Sequence, residues 1–265
     1  MFVLILLIFI IWAVLNGKKK KKVIQEATPL PDSYPALLEE HVDYYRALPA
    51  DKKKLFAEKV RYFLHHTGVQ GVGLEVSDLD KVLVASSAVI PIFGFDDWHY
   101  HNLTDVLLYK EQFNEEFETE GGERPIMGMV GNGAMQNVMI LSRPALYEGF
   151  EVESSKSQTA IHEFVHLLDK ADGATDGLPE YTLNRQYTRP WLKLMLRTIE
   201  EMKKGRSDID IYGATNEAEF LAVTAEYFFK RPDLLQQKHP ELFALLEQIF
   251  HQTPSYATLK KGTKK

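Results

Sequence analysis

Two histidines stand four residues apart in His162-Glu163-Phe164-Val165-His166. On a helix that spacing puts both imidazoles on one face, about one turn apart, close enough to share a metal ion. Glu163, beside them, can take a proton from a metal-polarised water as a general base. The flanks agree with a helix. Ser154 or Ser155 can cap it, and Ile161, Phe164, Val165, Leu167 and Leu168 supply apolar faces. Five residues in a chain with nine histidines are a short pattern, so a second feature has to join it.

A hydrolytic zinc needs a third protein ligand and an open fourth position. The extended pattern H-x-x-G-x-x-H is absent, because Asp169 and Asp172 occupy the places of its glycine and final histidine. Asp172 could complete a His-His-Asp set, but without the glycine turn it would sit awkwardly beyond the helix. The other solution is a glutamate from a later helix. Asn216 to Phe229 (NEAEFLAVTAEYFF) offers Glu219 and Glu226, seven apart and on one face, with Glu217 pointing away. The segment is otherwise apolar, so carboxylates on its inner face would be costly to bury without a cation. Periodicity does not choose between Glu219 and Glu226.

These groups need elements to position them. Pro29, Pro31 and Pro35 mark 23–35 as linker, and Ala36 to about Arg46 has a helical pattern. A second helix follows, with Leu55, Phe56, Val60, Phe63 and Leu64 on one stripe. Val82–Ala85, Asp105–Tyr109 and Asn137–Leu141 are short apolar runs expected to be strands. From Ser154 onward the chain is helical, with breaks expected near Gly173–Pro179, Arg189–Pro190, Gly205–Asn216 and Arg231–Pro232. Early helices, a few strands and later helices predict an α+β fold. Gln136 to Leu141, the strand nearest before the active-site helix, is the expected edge for an extended peptide. His99 and His101 alternate as if on one strand face, but lack ligand spacing to a carboxylate.

Met1 to Leu15 is an unbroken apolar run, followed by Asn16, Gly17 and Lys18–Lys22. Charge after the run, and no small-residue cleavage pattern, favour an uncleaved membrane anchor over a signal peptide. A single-pass helix is expected, with the lysines contacting anionic lipid and the catalytic domain on the cytoplasmic side. Those five lysines are part of 31 basic residues, so the rest of the chain sets 26 bases against 37 acids. A body that acidic is a poor nucleic-acid binder. The chain has no cysteine, which excludes disulfides and thiolate zinc sites.

The segment Tyr212-Gly213-Ala214-Thr215-Asn216-Glu217-Ala218-Glu219-Phe220, with HEFVH and Ala225-Glu226-Tyr227-Phe228-Phe229, resembles the Mlc titration factor A family of zinc peptidases. The same residues are similar to the catalytic domain of the lethal-factor peptidase. The resemblance implies that His162, His166 and Glu219 bind Zn2+, that Glu163 is the base, and that Tyr212 stabilises the oxyanion. Glu226 then supports the ligands from behind, and Asp169 can orient His162 or His166. The expected fold is a helix-rich, zincin-like α+β metallopeptidase domain with a small mixed sheet, plus an N-terminal transmembrane helix. The chain divides into an anchor (1–17), a basic and proline-containing linker (18–35), the metallopeptidase domain (36–255) and a basic tail (256–265). Its substrate is a peptide or protein. The family's name also implies a transcriptional regulator as partner, and the second reading is a regulator-binding protein whose zinc site matters little for catalysis. Only three ligands are apparent, whereas structural zinc sites are closed by four.

Overall fold

In the computed structural model, which describes residues 31–112, 127–130, 137–179 and 182–254, the chain enters through three helices. These are α1 (Ser33–His41), α2 (Asp43–Ala47) and α3 (Ala50–His66). The helix expected from Ala36 to Arg46 is broken at Val42, whose extended backbone (φ −116°, ψ 95°) drives its side chain into the core. α1 also begins inside the stretch expected as linker, with Tyr34 buried. α3 turns Phe56, Val60 and Phe63 inward, as their spacing predicts.

Strand β1 (Gly68–Val72) leads into α4 (Asp78–Ile92). Val82–Ala85, expected as a strand, lies inside this helix. Ser77 Oγ accepts from the Asp80 amide (3.1 Å) while Asp80 Oδ2 accepts from the Ser77 amide (2.8 Å), a reciprocal cap that starts a helix. Every residue from Val82 to Ile92 is buried, so the apolar run carries no 3.6-residue period to mark it as helical. Strands β2 (Asp105–Tyr109), β3 (Gly128–Val130) and β4 (Val138–Ser142) complete a sheet of order β1-β2-β4-β3 among the described residues. β1, β2 and β4 run parallel, and β3 runs antiparallel to β4. β2 alternates, burying Val106 and Leu108, whereas β4 buries Met139 through Ser142 without alternation, both of its faces being covered. The substrate edge expected at Gln136–Leu141 is therefore corrected. β4 is paired on both sides, and among the described residues the outer strand there is β3.

Ser142 caps α5 (Arg143–Glu151), and α6 (Thr159–Asp169) follows. Helix α7 (Arg185–Lys203) runs through Pro190, where a break was expected. One i→i−4 hydrogen bond is lost there. The inward stripe of Trp191, Leu194, Met195, Ile199 and Met202 holds the helix together regardless. α8 (Glu217–Lys230), α9 (Pro232–Lys238) and α10 (Pro240–Phe250) close the chain, with Pro232 and Pro240 in the first turns of the last two. α8 buries Phe220, Phe228 and Phe229 completely, each worth about 1.5–3 kcal/mol by transfer out of water. It packs directly on α6.

The fold is thus helix-rich with a small mixed sheet. Among the described residues no helix is long and apolar enough to cross a membrane. The transmembrane part of the expectation, the lipid contact through it and the single-pass localisation are corrected on that ground. Fifteen helical residues would reach only about 22 Å against a hydrocarbon core of about 30 Å. Residues 1–17 and Lys18–Lys22, on which that expectation rested, lie outside the described residues, as does the tail at 256–265.

Candidate metal centre

Helix α6 starts without a side-chain cap of its own. Its N-cap is Gln158, with extended backbone, and neither Ser154 nor Ser155 fills that place. The start is fixed from α8 instead. Glu226 Oε2 accepts from the Ser157 hydroxyl (2.7 Å) and from the Gln158 amide, setting a carboxylate against the positive end of α6. The other oxygen of Glu226 accepts from His162 Nδ1 (2.7 Å). A carboxylate only accepts, so the Nδ1 proton is committed to Glu226 and Nε2 faces the opposite way.

What Nε2 faces is a convergence of donors. His162 Nε2 lies 3.1 Å from His166 Nε2 and 2.9 Å from Glu219 Oε2, and His166 Nε2 lies 3.5 Å from the same oxygen. The helical spacing of the histidines gives the first contact. The second depends on α8, where the Asn216 side chain accepts from the Glu219 amide (2.9 Å) and starts the helix with Glu219 turned inward. His162, His166 and Glu219 are a group able to hold a metal ion, with their ligand atoms within 4.8 Å of one another. Two imidazoles and a carboxylate are the hard-to-borderline donors that suit zinc.

The electrostatics make the same demand. Burial acts to lower the pKa of His162, but hydrogen bonds to Glu219 and Glu226 and the charges of Glu226 and Glu163 outweigh it and push it up to about 10. Burial would raise Glu219, yet its contacts with the two histidines bring it down to about 2. Burial lifts Glu163 above the usual carboxylate range, with the histidines opposing that rise and the charges of Glu219 and Glu226 adding to it. Three carboxylates around two imidazoles call for a cation, either a proton on His162 or a metal ion in its place.

Glu163 is buried on the same helix, against β3. A Cβ at Gly128 would come within 2.8 Å of Glu163 Cγ and 2.9 Å of Thr159 Cγ2, so only glycine lets the strand lie this close to α6. Tyr212 sits in a short 3-10 turn (Ile211–Ala214) whose first amides are held by Asp210, the Asp210 side chain accepting from the Tyr212 amide (2.9 Å). Its ring lies 6.0 Å from the His162 ring, and burial together with the charges of Glu219 and Glu163 raises its phenol. All these groups line one open cleft of about 1360 Å³, bordered by Met127 to Val130.

Other residues singled out from the sequence lie apart from the cluster. Asp169 is buried, accepts from the Gly177 amide (2.8 Å) and is raised to about 6, chiefly by burial. Asp172 is exposed beyond the end of α6 and accepts from the Ala174 amide. His99 stacks on Tyr62 at 3.9 Å, and neither it nor His101 belongs to a metal-binding group among the described residues. The sequence reading missed Ser157, Gln158 and Gly128. No spacing rule could have found the first two, because their partner lies almost seventy residues away.

The model of the glucose-regulated metallo-peptidase M90 family matches residues 15–251. The chain belongs to this family. Among curated proteins, an uncharacterized protein of Synechocystis is 25% identical over 245 residues, covering 88% of this chain and 87% of that protein. Mlc titration factor A of Klebsiella pneumoniae is 25% identical over 226 residues (81% and 84%), and that of Salmonella arizonae 27% over 217 residues (77% and 85%). For an M90 peptidase, the His162-Glu163-x-x-His166 motif with distal Glu219 is the expected zinc metallopeptidase arrangement, and the geometry matches it.

Proposed function

We propose that the chain hydrolyses peptide bonds at this cluster, with His162, His166 and Glu219 holding zinc, Glu163 as general base and Tyr212 as oxyanion donor. The observation that carries this reading is the convergence of the three ligand atoms beside a buried carboxylate, at the floor of an open cleft. Zinc held there would lower the pKa of a water and polarise the scissile carbonyl. Glu163 then accepts the proton of the attacking water and delivers it to the leaving amine. Its raised pKa suits a group that must take a proton and release it again. The Tyr212 phenol, a proton donor at neutral pH, donates to the oxygen on which negative charge develops. Glu226 keeps the proton of His162 on Nδ1 and so keeps Nε2 available to the metal. Asp169, one turn beyond His166 and tied to Gly177, steadies the end of the ligand helix.

The reading places an extended peptide along β3, which borders the cleft and is the outer strand among the described residues, pairing with its backbone. The relatives named Mlc titration factor A support a second reading, in which the chain binds a regulatory protein as those names say their bearers titrate Mlc. The two readings separate in one experiment. Zinc-loaded chain should cleave members of a peptide library, and Glu163→Gln should retain the metal while losing about 10²–10⁴-fold in turnover. Equal activity in Glu163→Gln, or none in the wild type, would remove the peptidase reading and leave the binding one.

A further inference from the structure

A second cluster of charged groups, of which Lys156, Asp208 and Tyr227 line the same cleft, lies away from the ligands. Asp208 Oδ1 is 2.7 Å from His239 Nε2, and Oδ2 accepts from Lys156 Nζ (2.6 Å), Lys238 Nζ (2.9 Å) and the Tyr227 hydroxyl (3.0 Å). Lys156 also donates to the Asp208 carbonyl and stands over the Tyr227 ring at 4.6 Å from its centroid. One carboxylate thus gathers the segment before α6, helix α8 and the α9–α10 junction.

Two of these ties, from Lys156 and Tyr227, and the Asp208 backbone itself lead toward groups already placed at the metal centre. Lys156 precedes Ser157 and Gln158, the two residues that hold Glu226, and Glu226 holds His162. Tyr227 follows Glu226 on α8. Asp208 itself stands two residues before Asp210, whose side chain fixes the Tyr212 amide. We propose that Asp208 is a positioning residue that sets both the metal ligand His162, through Lys156 and Glu226, and the phenol of Tyr212, through the 208–212 turn. The proposal rests on the roles assigned to His162 and Tyr212 above.

The arrangement predicts which substitutions matter. In Asp208→Asn the neutral amide no longer holds two ammonium groups that approach one oxygen, so Lys156 and Lys238 repel and the segment before α6 is released. Lys156→Met cuts the tie toward Glu226 and takes one donor from Asp208, which keeps Lys238, His239 and Tyr227. Lys238→Met leaves Lys156 and Tyr227 on Asp208, and its side chain is the most exposed of the set.

The test uses the full chain. Zinc affinity is measured by competition with a chromophoric chelator, the cobalt-substituted protein by its visible spectrum, peptide hydrolysis as kcat and KM, and folding by the urea midpoint. Residues that hold a ligand from behind typically contribute 10–100-fold in metal affinity, and one step further back the lower end, about tenfold, is expected for Asp208→Asn. Its kcat should fall about tenfold further at saturating zinc with KM within about twofold, and its cobalt spectrum should shift. Lys156→Met should weaken zinc with a smaller fall in kcat than Asp208→Asn gives, and Lys238→Met should match wild type in both. Zinc affinity and spectrum unchanged in folded Asp208→Asn and Lys156→Met, with only the urea midpoint lowered, would overturn the proposal. So would an effect of Lys238→Met equal to that of Lys156→Met. Should Asp208→Asn fail to fold, Lys156→Met decides. Should the wild type cleave no peptide, the peptidase reading fails by itself, and zinc affinity and the cobalt spectrum still decide the positioning role.

Discussion

Around His162 and His166 three carboxylates converge, and no lysine or arginine pairs with them among the described residues. Around Asp208, in the same cleft, a single carboxylate meets two ammonium groups, a phenol and an imidazole. The second cluster is complete in itself and ties segments together. The first is built with bases in excess, a costly arrangement for buried groups unless a cation from outside joins it. The contrast separates a site that has to bind something from a site that only has to hold.

The largest effect should come from breaking the first cluster. Glu219→Ala, leaving two imidazoles without their carboxylate, should strip zinc as completely as His166→Ala does in metal analysis after dialysis. Zinc retained in Glu219→Ala but lost in Glu226→Ala would exchange the roles of the two α8 carboxylates. Tyr212→Phe should come next, cutting turnover about 10²-fold with zinc content unchanged. Turnover equal to wild type would take the phenol out of the chemistry.

How far the first cluster was readable in the sequence follows from the range of its interactions. The histidine pair is an i, i+4 relation, and local spacing is enough to find it. Glu219 is distant in sequence, and periodicity left it level with Glu226 until the resemblance separated them. In the fold both carboxylates touch His162, one at each ring nitrogen, which is why a face shared at seven-residue spacing could not rank them. The Asp208 cluster was invisible because each of its ties joins residues at least nineteen apart. Helix α4 was mistaken at Val82–Ala85 because burial on all sides erases the helical period, and β3 was missed because three residues are too few to show alternation. The sheet order was likewise beyond local pattern, so the strand singled out as an edge is an inner one.

The smallest effect concerns the second cluster alone. Burial by itself would raise the Asp208 carboxyl, but hydrogen bonds from Lys156, Lys238, His239 and Tyr227 hold it well below the usual carboxylate range. Its folded pKa therefore lies below its unfolded value of about 3.9. The stability it contributes is present above that value and is lost as pH falls through the depressed one. Asp208→Asn should flatten the acid limb of the urea midpoint below about pH 4. An acid limb as steep as in wild type would mean that the second cluster is not held by its charge.

The distinction between the two clusters is tested most directly by a zinc-edge anomalous difference map from a crystal of the zinc-loaded chain. One peak is expected, about 2.0–2.2 Å from Nε2 of His162, Nε2 of His166 and a carboxylate oxygen of Glu219. A peak held by Asp172, by Asp208 or by His99 and His101 instead, or a chain that takes up no zinc, would contradict the account.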